Sequence, residues 1–289
     1  MVVYREEDMS RVALRQEDAV AVVSFSNPPD NYMDGETETE LSAVLDVIEA
    51  DASIRVVVFT GGEPDVFIRH YDVGILLDRS KIMRSKKLIF DPARPVPASL
   101  IHKCYDRIET MPKPFIAAIN GTAMGGGFEL ALACDIRLVK DGPYDLGLPE
   151  VNLGILPGAG GTQRMTRLIG EAKAKELMLL GRTMSPREVK DVGLASLCVE
   201  DDVVAEAMEI AQTLARRSPR AVGHIKDLIT GVSVRSGEDG SARERTLFCD
   251  LMVDDRAFEE MSDMAEGKRD IRDPELIKNK KKYWPDEND

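Results

Sequence analysis

Three consecutive glycines, Gly125, Gly126 and Gly127, constrain the fold of this 289-residue chain more than any other feature. A strand-type apolar run, 115–119, precedes them, and a helical apolar run, 128–134, follows. Glycines at such a junction leave the first N–H groups of the helix uncovered, and the helix dipole favours negative charge there. The junction is therefore a candidate site for an anion or oxyanion. Alternatively, the glycines only allow the helix to pack closely on a sheet.

Strands and helices alternate through the first part of the chain, which predicts an α/β fold. Strand patterns lie at 11–25, 56–59, 115–119 and 136–139, and a helix is indicated by apolar residues at Leu41, Val44, Leu45 and Ile48.

After Gly161 helical patterns dominate, with helix starts indicated at 185–188, 201–202 and 218–219. We therefore divide the chain into an α/β core with the functional site, residues 1–200, and a helical C-terminal region, residues 201–289.

Composition excludes several classes of function. The net charge of -13 disfavours nucleic acid as a ligand. Four dispersed cysteines and three histidines without ligand spacing predict neither a zinc site nor a disulfide scaffold. The first residues lack the pattern of a signal peptide and no apolar window would span a bilayer, so we expect a cytoplasmic protein without a membrane partner. Nucleophile-elbow and phosphate-loop motifs are absent, and residues 158–163 lack the last glycine of a dinucleotide-binding motif.

Two carboxylates stand in apolar surroundings. Glu129 shares a helix face with Leu132 and Ala133, and a buried carboxylate is costly enough to suggest a functional reason. Glu150 lies among apolar neighbours 21 residues later, a spacing that allows one strand to return it to the same site. The alternative for Glu150 is a structural role as a helix-start residue after Pro149.

Three longer segments around these residues resemble the crotonase superfamily, and within it the enoyl-CoA hydratases. They are residues 113–121 (KPFIAAING), 125–135 (GGGFELALACD) and 149–164, and the resemblance extends from about Val12 to Arg269. It implies a core of repeated ββα units arranged as a spiral. It also implies a helical C-terminal region that forms homotrimers, often paired into homohexamers.

The resemblance also implies a substrate and a site. The substrate is an acyl-CoA thioester whose carbonyl oxygen is bound by the backbone N–H groups of Tyr71 and Gly126. Glu129 activates water and Glu150 delivers a proton to C2. Coenzyme A enters only as part of the substrate, and no metal or further cofactor is implied.

This chemistry agrees with the residues. Adding water across a 2,3-enoyl thioester builds negative charge on the thioester oxygen, which N–H donors stabilise. One carboxyl group must accept a proton while another donates one. Family members that only isomerise a double bond typically keep the second glutamate alone, so both glutamates favour hydration.

The chain departs from the family in its first oxyanion loop. Residues 69–72 read RHYD where AGAD is common, so His70 replaces a glycine and Tyr71 a small residue. The added β-carbon restricts the loop, and the Tyr71 ring is expected to narrow the acyl pocket. His70 is either a catalytic base or, more simply, orders the loop through a hydrogen bond.

A lysine common in the family just after Asp72 is missing, which raises the question of what binds the phosphates of CoA. Five basic residues lie at 79–87, and Arg84, Lys86 and Lys87 are our candidates for that role. The alternative is a solvated surface helix. Further candidates lie in the C-terminal region, which we expect to complete the CoA site: Phe248 and Lys268.

Other readings stay open on the same scaffold. They are double-bond isomerisation, hydration with retro-aldol cleavage, and thioester hydrolysis. Some hydratase relatives bind RNA, but the acidic charge and the lack of a basic, aromatic-bearing face argue against this class here. A non-catalytic assembly subunit would be expected to have lost one of the two glutamates.

Overall fold

The computed structural model describes residues 11–272, which form two compact units that divide after Arg216. The strands of this part of the chain are β1 (Val12–Glu17), β2 (Val20–Phe25), β3 (Val56–Gly61), β4 (Val66–Ile68), β5 (Phe115–Ile119), β6 (Thr122–Met124), β7 (Ile136–Lys140), β8 (Leu146–Gly147) and β9 (Leu197–Val199). The helices are α1 (Gly35–Ala50), α2 (Val73–Ser85), α3 (Leu100–Thr110), α4 (Gly126–Ala133), α5 (Gly161–Leu179), α6 (Pro186–Asp191), α7 (Val203–Ala215), α8 (Pro219–Thr230), α9 (Gly237–Met252) and α10 (Asp255–Ala265).

The first unit contains a six-stranded sheet and a three-stranded sheet. The strand order of the large sheet is β1-β2-β3-β5-β7-β9, and that of the small sheet is β4-β6-β8. All neighbouring strands are parallel except β1 and β2, which form a hairpin. The predicted α/β class is confirmed.

Strands of the two sheets alternate along the chain. β3 and β4, then β5 and β6, then β7 and β8 each place the first strand in the large sheet and the second in the small sheet. A helix or helical turn follows each pair: α2, α4, and a short 3₁₀ helix at Glu150–Leu153. Because the small-sheet strands are parallel, the segments that follow them emerge at one edge of that sheet.

Both faces of the large sheet are covered. Residues of one face, such as Val22, Val58 and Ile116, pack with Val203 and Ala207 of α7. Residues of the other face pack with α1, α3 and α4 in the larger core, which includes Phe25, Phe59, Phe115, Leu45, Tyr105 and Leu130. The central strand β5 (FIAAI) is buried on both faces and apolar throughout, as is typical of parallel sheets.

Most elements lie where the sequence predicts them. The predicted strands at 11–25, 56–59, 115–119 and 136–139 and the helix through Leu41 and Ile48 are confirmed. Ser185 and Glu188 form the predicted capping box, and Asp202 and Ser218 cap α7 and α8. The short strands β4, β6, β8 and β9 were not predicted, because two or three residues are too few to show a period.

Helix α7, which we assign from the sequence to the C-terminal region, belongs to the first compact unit, since its apolar residues cover the large sheet.

The second unit contains α8, α9 and α10 within residues 217–272. Arg220 of α8 forms ion pairs with Asp250 (2.5 Å) and Asp254 (2.8 Å). Helices α9 and α10 bury no residue and expose large apolar side chains, among them Phe248 and Phe258. Across residues 11–272, no helix is both long and apolar enough to cross a membrane.

Candidate active site

A cavity of about 410 Å³ lies where the segments after β4, β6 and β8 meet. Its lining includes the four residues predicted for catalysis and for the oxyanion: Tyr71, Gly126, Glu129 and Glu150. They follow the three strands of the small sheet: Tyr71 comes after β4, Gly126 and Glu129 after β6, and Glu150 after β8. The small sheet therefore brings together residues that lie far apart in the sequence.

The three glycines have different roles at the start of α4. Gly125 has φ +49°, a conformation that side chains disfavour, and its N–H donates to the carbonyl of Gly147 (3.0 Å). A Cβ on Gly127 would lie 2.2 Å from the carbonyl oxygen of Ile68, so this glycine allows α4 to pack on β4. A Cβ on Gly126 would meet nothing closer than 3.5 Å. Close packing thus accounts for Gly127, whereas Gly126 faces the cavity.

Two backbone N–H groups, of Tyr71 and Gly126, lie close together in the cavity wall. Gly126 is the first residue of α4, so its N–H has no acceptor within the helix. Met33 donates to the carbonyl of His70 (2.9 Å) and accepts from Asp72 (2.8 Å), which leaves the N–H of the intervening Tyr71 directed away from Met33. The Tyr71 nitrogen lies 3.8 Å from the Cβ position of Gly126. The pair forms a candidate oxyanion hole.

Tyr105 stabilises the start of α4 through a hydrogen bond to Gly126. Its side chain is fully buried, and its hydroxyl donates to the carbonyl of Gly126 (2.7 Å). Burial raises the pKa of Tyr105 well above its ordinary value, so the hydroxyl stays protonated and remains a donor. Tyr105 was not among the residues predicted for the site, because no local pattern indicates this contact.

Glu129 is held in one orientation. Its side chain is 2% exposed, and Oε1 accepts from the N–H groups of Ala159 (2.8 Å) and Gly161 (2.7 Å). Burial raises the pKa of Glu129, while the two N–H donors and the nearby Arg164 oppose that rise. The second carboxylate oxygen, Oε2, is left for the cavity.

Arg164 holds the loop that binds Glu129. Its side chain is 6% exposed, and Nη1 donates to the carbonyl of Ala159 (2.8 Å). The guanidinium pairs with Asp106 (3.1 Å) and Glu109 (3.0 Å) of α3. Sequence reasoning rejected the glycine run at 158–163 as a dinucleotide site and missed that its N–H groups bind Glu129.

Glu150 has a different environment. It is the first residue of the 3₁₀ helix after Pro149, as the structural alternative proposed, and it also lines the cavity. Its Oε2 atom is buried and finds no hydrogen-bond partner among the described residues. Burial, with a smaller contribution from the charge of Glu129, raises the pKa of Glu150 to about 7.

The two carboxyl groups differ in their hydrogen bonds. Oε1 of Glu129 accepts from two backbone N–H groups, which stabilise its charged form, whereas the buried Oε2 of Glu150 has no hydrogen-bond partner among the described residues. Two carboxyl groups with different surroundings in one cavity are a common arrangement for acid and base partners in catalysis.

The two histidines that line the cavity make structural hydrogen bonds. Nδ1 of His70 donates to the carbonyl of Tyr71 (2.8 Å), and its ring stacks on Tyr32 with centroids 4.6 Å apart. This contact supports the loop-ordering role for His70. Nε2 of His102 donates to the carbonyl of Gly158 (2.8 Å), and the N–H of Ser99 donates to Nδ1 (3.3 Å).

A polar group lies on the wall that α1 and α2 contribute. The Tyr71 hydroxyl donates to Oε1 of Glu38 (2.8 Å) and accepts from Nη2 of Arg79 (2.9 Å). Burial is the main reason that the pKa of Tyr71 rises to about 12, and the hydrogen bond to Glu38 adds to it. Sequence reasoning did not single out Glu38, and it placed Arg79 only within the basic cluster.

Three of the residues predicted to bind CoA lie outside the cavity lining. Arg84, Lys86 and Lys87 are exposed at the end of α2, and their role stays a prediction. Phe248 and Lys268 are exposed in the second unit, where Lys268 pairs with Glu266 (2.5 Å). Among residues 11–272 no cluster of three or more His, Cys, Asp or Glu side chains is arranged to hold a metal ion.

Comparison with known proteins identifies similar sequences. Residues 15–271 match the family described as enoyl-CoA hydratase/isomerase. A probable enoyl-CoA hydratase of Bacillus subtilis is 35% identical over 263 residues, which are 90% of this chain and 98% of that protein. A short-chain-enoyl-CoA hydratase of Clostridium acetobutylicum is 35% identical over 77% of this chain and 82% of its own length.

Solved structures agree with the sequence matches. The crystal structure of an enoyl-CoA hydratase from Bacillus anthracis superposes with a TM-score of 0.79 at 30% identity, covering 90% of this chain and 97% of that one. One from Geobacillus kaustophilus superposes with a TM-score of 0.80 at 31% identity, covering 92% and 99% of the two chains.

Proposed function

Because the chain belongs to the enoyl-CoA hydratase/isomerase family of the crotonase superfamily, we propose that it is an enoyl-CoA hydratase. The reaction adds water across the 2,3 double bond of an enoyl-CoA thioester. The observation that carries this proposal is the pair of glutamates in one cavity, Glu129 with two N–H donors on one oxygen and Glu150 with an unpartnered buried oxygen.

The N–H groups of Tyr71 and Gly126 bind the thioester oxygen. When water attacks C3, negative charge moves to this oxygen, and two preorganised donors stabilise it by several kcal/mol in typical cases. The hydrogen bond from Tyr105 to Gly126 and the bridge of Tyr71 to Met33 keep both donors in place before the substrate arrives.

Glu129 accepts a proton from the attacking water, and Glu150 gives its proton to C2. The bonds from Ala159 and Gly161 fix Oε1 of Glu129, so Oε2 is the atom that takes the proton. A general acid works best when its pKa is near the operating pH, and the raised pKa of Glu150, about 7, meets that condition.

Other reactions of the scaffold make different products, and the test uses this difference. The protein is incubated with a panel of enoyl-CoA thioesters while the conjugated absorbance is followed and each product is weighed. Hydration adds the mass of one water and keeps the thioester. An unchanged mass would indicate an isomerase, free thiol a thioester hydrolase, and aldehyde release a hydratase-lyase, and each of these outcomes would overturn the proposal.

We also propose that the chain assembles into a homotrimer or homohexamer through the helical part after Gly161. The support is the family membership together with helices α9 and α10, which bury no residue in the single chain and expose Phe248 and Phe258 at 62% and 64%. Light scattering at micromolar concentration should give the mass of three or six chains, and a monomeric mass would contradict assembly.

A further inference from the structure

Three polar side chains on one wall of the cavity have no part in the hydration mechanism. Glu38 of α1 is 7% exposed, and the Tyr71 hydroxyl links it to Arg79 of α2. All three line the cavity. An acyl pocket for a plain hydrocarbon chain would need no charged group in its wall; of these three residues only Glu38 is buried, and the Tyr71 hydroxyl pairs it.

Arg79 has unused hydrogen-bond donors. A guanidinium carries five N–H groups, and the structure gives Arg79 a single acceptor, the Tyr71 hydroxyl. Arg79 forms no ion pair within residues 11–272, whereas its neighbour Lys81 pairs with Asp78 (2.7 Å). Its guanidinium lies 5.5 Å from the centre of the Tyr71 ring, which holds it beside the cavity.

Tyr71 connects this guanidinium to the candidate oxyanion hole. Its backbone N–H belongs to the candidate oxyanion hole, and its hydroxyl binds Arg79. The Tyr71 side chain therefore separates the backbone N–H from the Arg79 guanidinium. An acyl chain of about five or six carbons has a similar length, given C–C bonds of about 1.5 Å.

We propose that the cavity selects acyl groups with a terminal carboxylate and that Arg79 binds this carboxylate. The inference deepens the proposed function, since it rests on an acyl-CoA ligand in the cavity. Guanidinium groups bind carboxylates through two parallel N–H donors, which matches the unused donors of Arg79. The Tyr71 hydroxyl lies between Oε1 of Glu38 and the Arg79 guanidinium. It therefore separates the Glu38 carboxylate from a ligand carboxylate bound to Arg79.

The test measures binding of saturated thioesters, which cannot be hydrated. Two matched pairs are compared by calorimetry: glutaryl-CoA with pentanoyl-CoA, and adipyl-CoA with hexanoyl-CoA. Each pair has the same carbon number and the same CoA portion, so contacts to the CoA phosphates cancel in the ratio. We expect the carboxylate-ended member of at least one pair to bind roughly tenfold tighter or more.

Variants assign the preference to a residue. Arg79→Gln should reduce the ratio to about 1, and Arg79→Lys should keep part of it, since an ammonium offers one point charge rather than a fork. Lys81→Gln removes the same charge from the same helix, outside the cavity lining, and should leave the ratio unchanged.

Three results would overturn the inference. They are equal affinities within both pairs, an affinity ratio that is unchanged in Arg79→Gln, and a reduction of the affinity ratio in Lys81→Gln as large as that in Arg79→Gln. Equal weakening of both members by Arg79→Gln would instead assign Arg79 to the CoA phosphates. Hydration of an enoyl-CoA by the same preparation is measured separately, so a failure of the proposed function is distinguishable from a failure of the selectivity.

Discussion

Helices α4 and α2 form two walls of the same cavity and differ in burial. All eight residues of α4 are buried, and no residue of α2 is. α4 carries Glu129 and the Gly126 N–H, which the proposed reaction needs, whereas α2 carries Arg79, which the proposed selectivity needs. A buried helix can hold a carboxylate in one orientation, but few substitutions in it are tolerated. An exposed helix orients its side chains less strictly, and most substitutions in it cost little stability.

This difference in burial indicates which helix tolerates substitutions without loss of folding stability. Helix α2 is exposed to solvent and also lines the cavity. We therefore expect a substitution on α2 to change ligand selectivity more than folding stability. A new residue on α4 disturbs the core that also holds the site.

Removing either carboxylate should nearly abolish the reaction. Glu129→Gln and Glu150→Gln are each expected to lower kcat for enoyl-CoA hydration by roughly 10² to 10⁴, because each removes one proton-transfer partner. Circular dichroism should show that both variants remain folded. If either variant keeps near-normal turnover, the assignment of two carboxylates is wrong.

The same truncation on the two helices should have unequal costs. Leu130→Ala on α4 removes a fully buried side chain and should lower the free energy of unfolding by about 2–5 kcal/mol. Leu77→Ala on α2, where the side chain is 55% exposed, should change it by less than about 0.5 kcal/mol. Denaturant titration measures both, and similar costs would contradict the contrast between the walls.

Ionisation of Glu150 should destabilise the native protein. The pKa of Glu150 is about 7 in the folded chain against an ordinary value of 4.5, so the unfolded state loses its proton first as pH rises. Native stability from this group should fall between about pH 4.5 and pH 7 and level off above. Glu150→Gln lacks this loss and should gain about 1–2 kcal/mol relative to wild type between pH 4.5 and pH 8, after allowance for partial exposure. A constant difference across this range would contradict the raised pKa.

Tyr105→Phe should have the smallest effect of the series. It removes the hydroxyl that donates to Gly126 and should cost about 1 kcal/mol in the free energy of unfolding. Because this bond holds one N–H donor of the oxyanion hole, kcat should also fall several-fold with little change in KM. Tyr144→Phe removes an exposed hydroxyl that binds Asp65 and serves as the matched control. An equal effect of both variants on kcat would deny Tyr105 a positioning role.

Much of the fold could be predicted because its strands and helices are long enough to show a period. The strands of the large sheet from β1 to β7 and helices such as α7 carry clear patterns. The small sheet could not be predicted, since β8 has two residues and its pairing with β6 is set by tertiary contacts. Because the small sheet brings the site residues together, the geometry of the site could not be predicted from sequence periodicity.

Part of the site was visible in the sequence and part was not. Glu129 stands out as a carboxylate on an apolar helix, and it is buried as expected. The group of Glu38, Tyr71 and Arg79 joins residues from α1, the loop after β4, and α2, so no local pattern marks it. Likewise, Ala159 and Gly161 bind Glu129 across about 30 residues of sequence through their backbone, where residue identity carries little information.

Isotope incorporation during turnover tests the central proposal most directly. An enoyl-CoA is incubated with the protein in D₂O enriched in ¹⁸O, and the product is analysed by mass spectrometry and NMR. Hydration by Glu129 and Glu150 predicts one ¹⁸O on C3, one deuterium on C2 and an intact thioester. Deuterium without ¹⁸O at C3, or ¹⁸O in a released carboxylic acid, would contradict it.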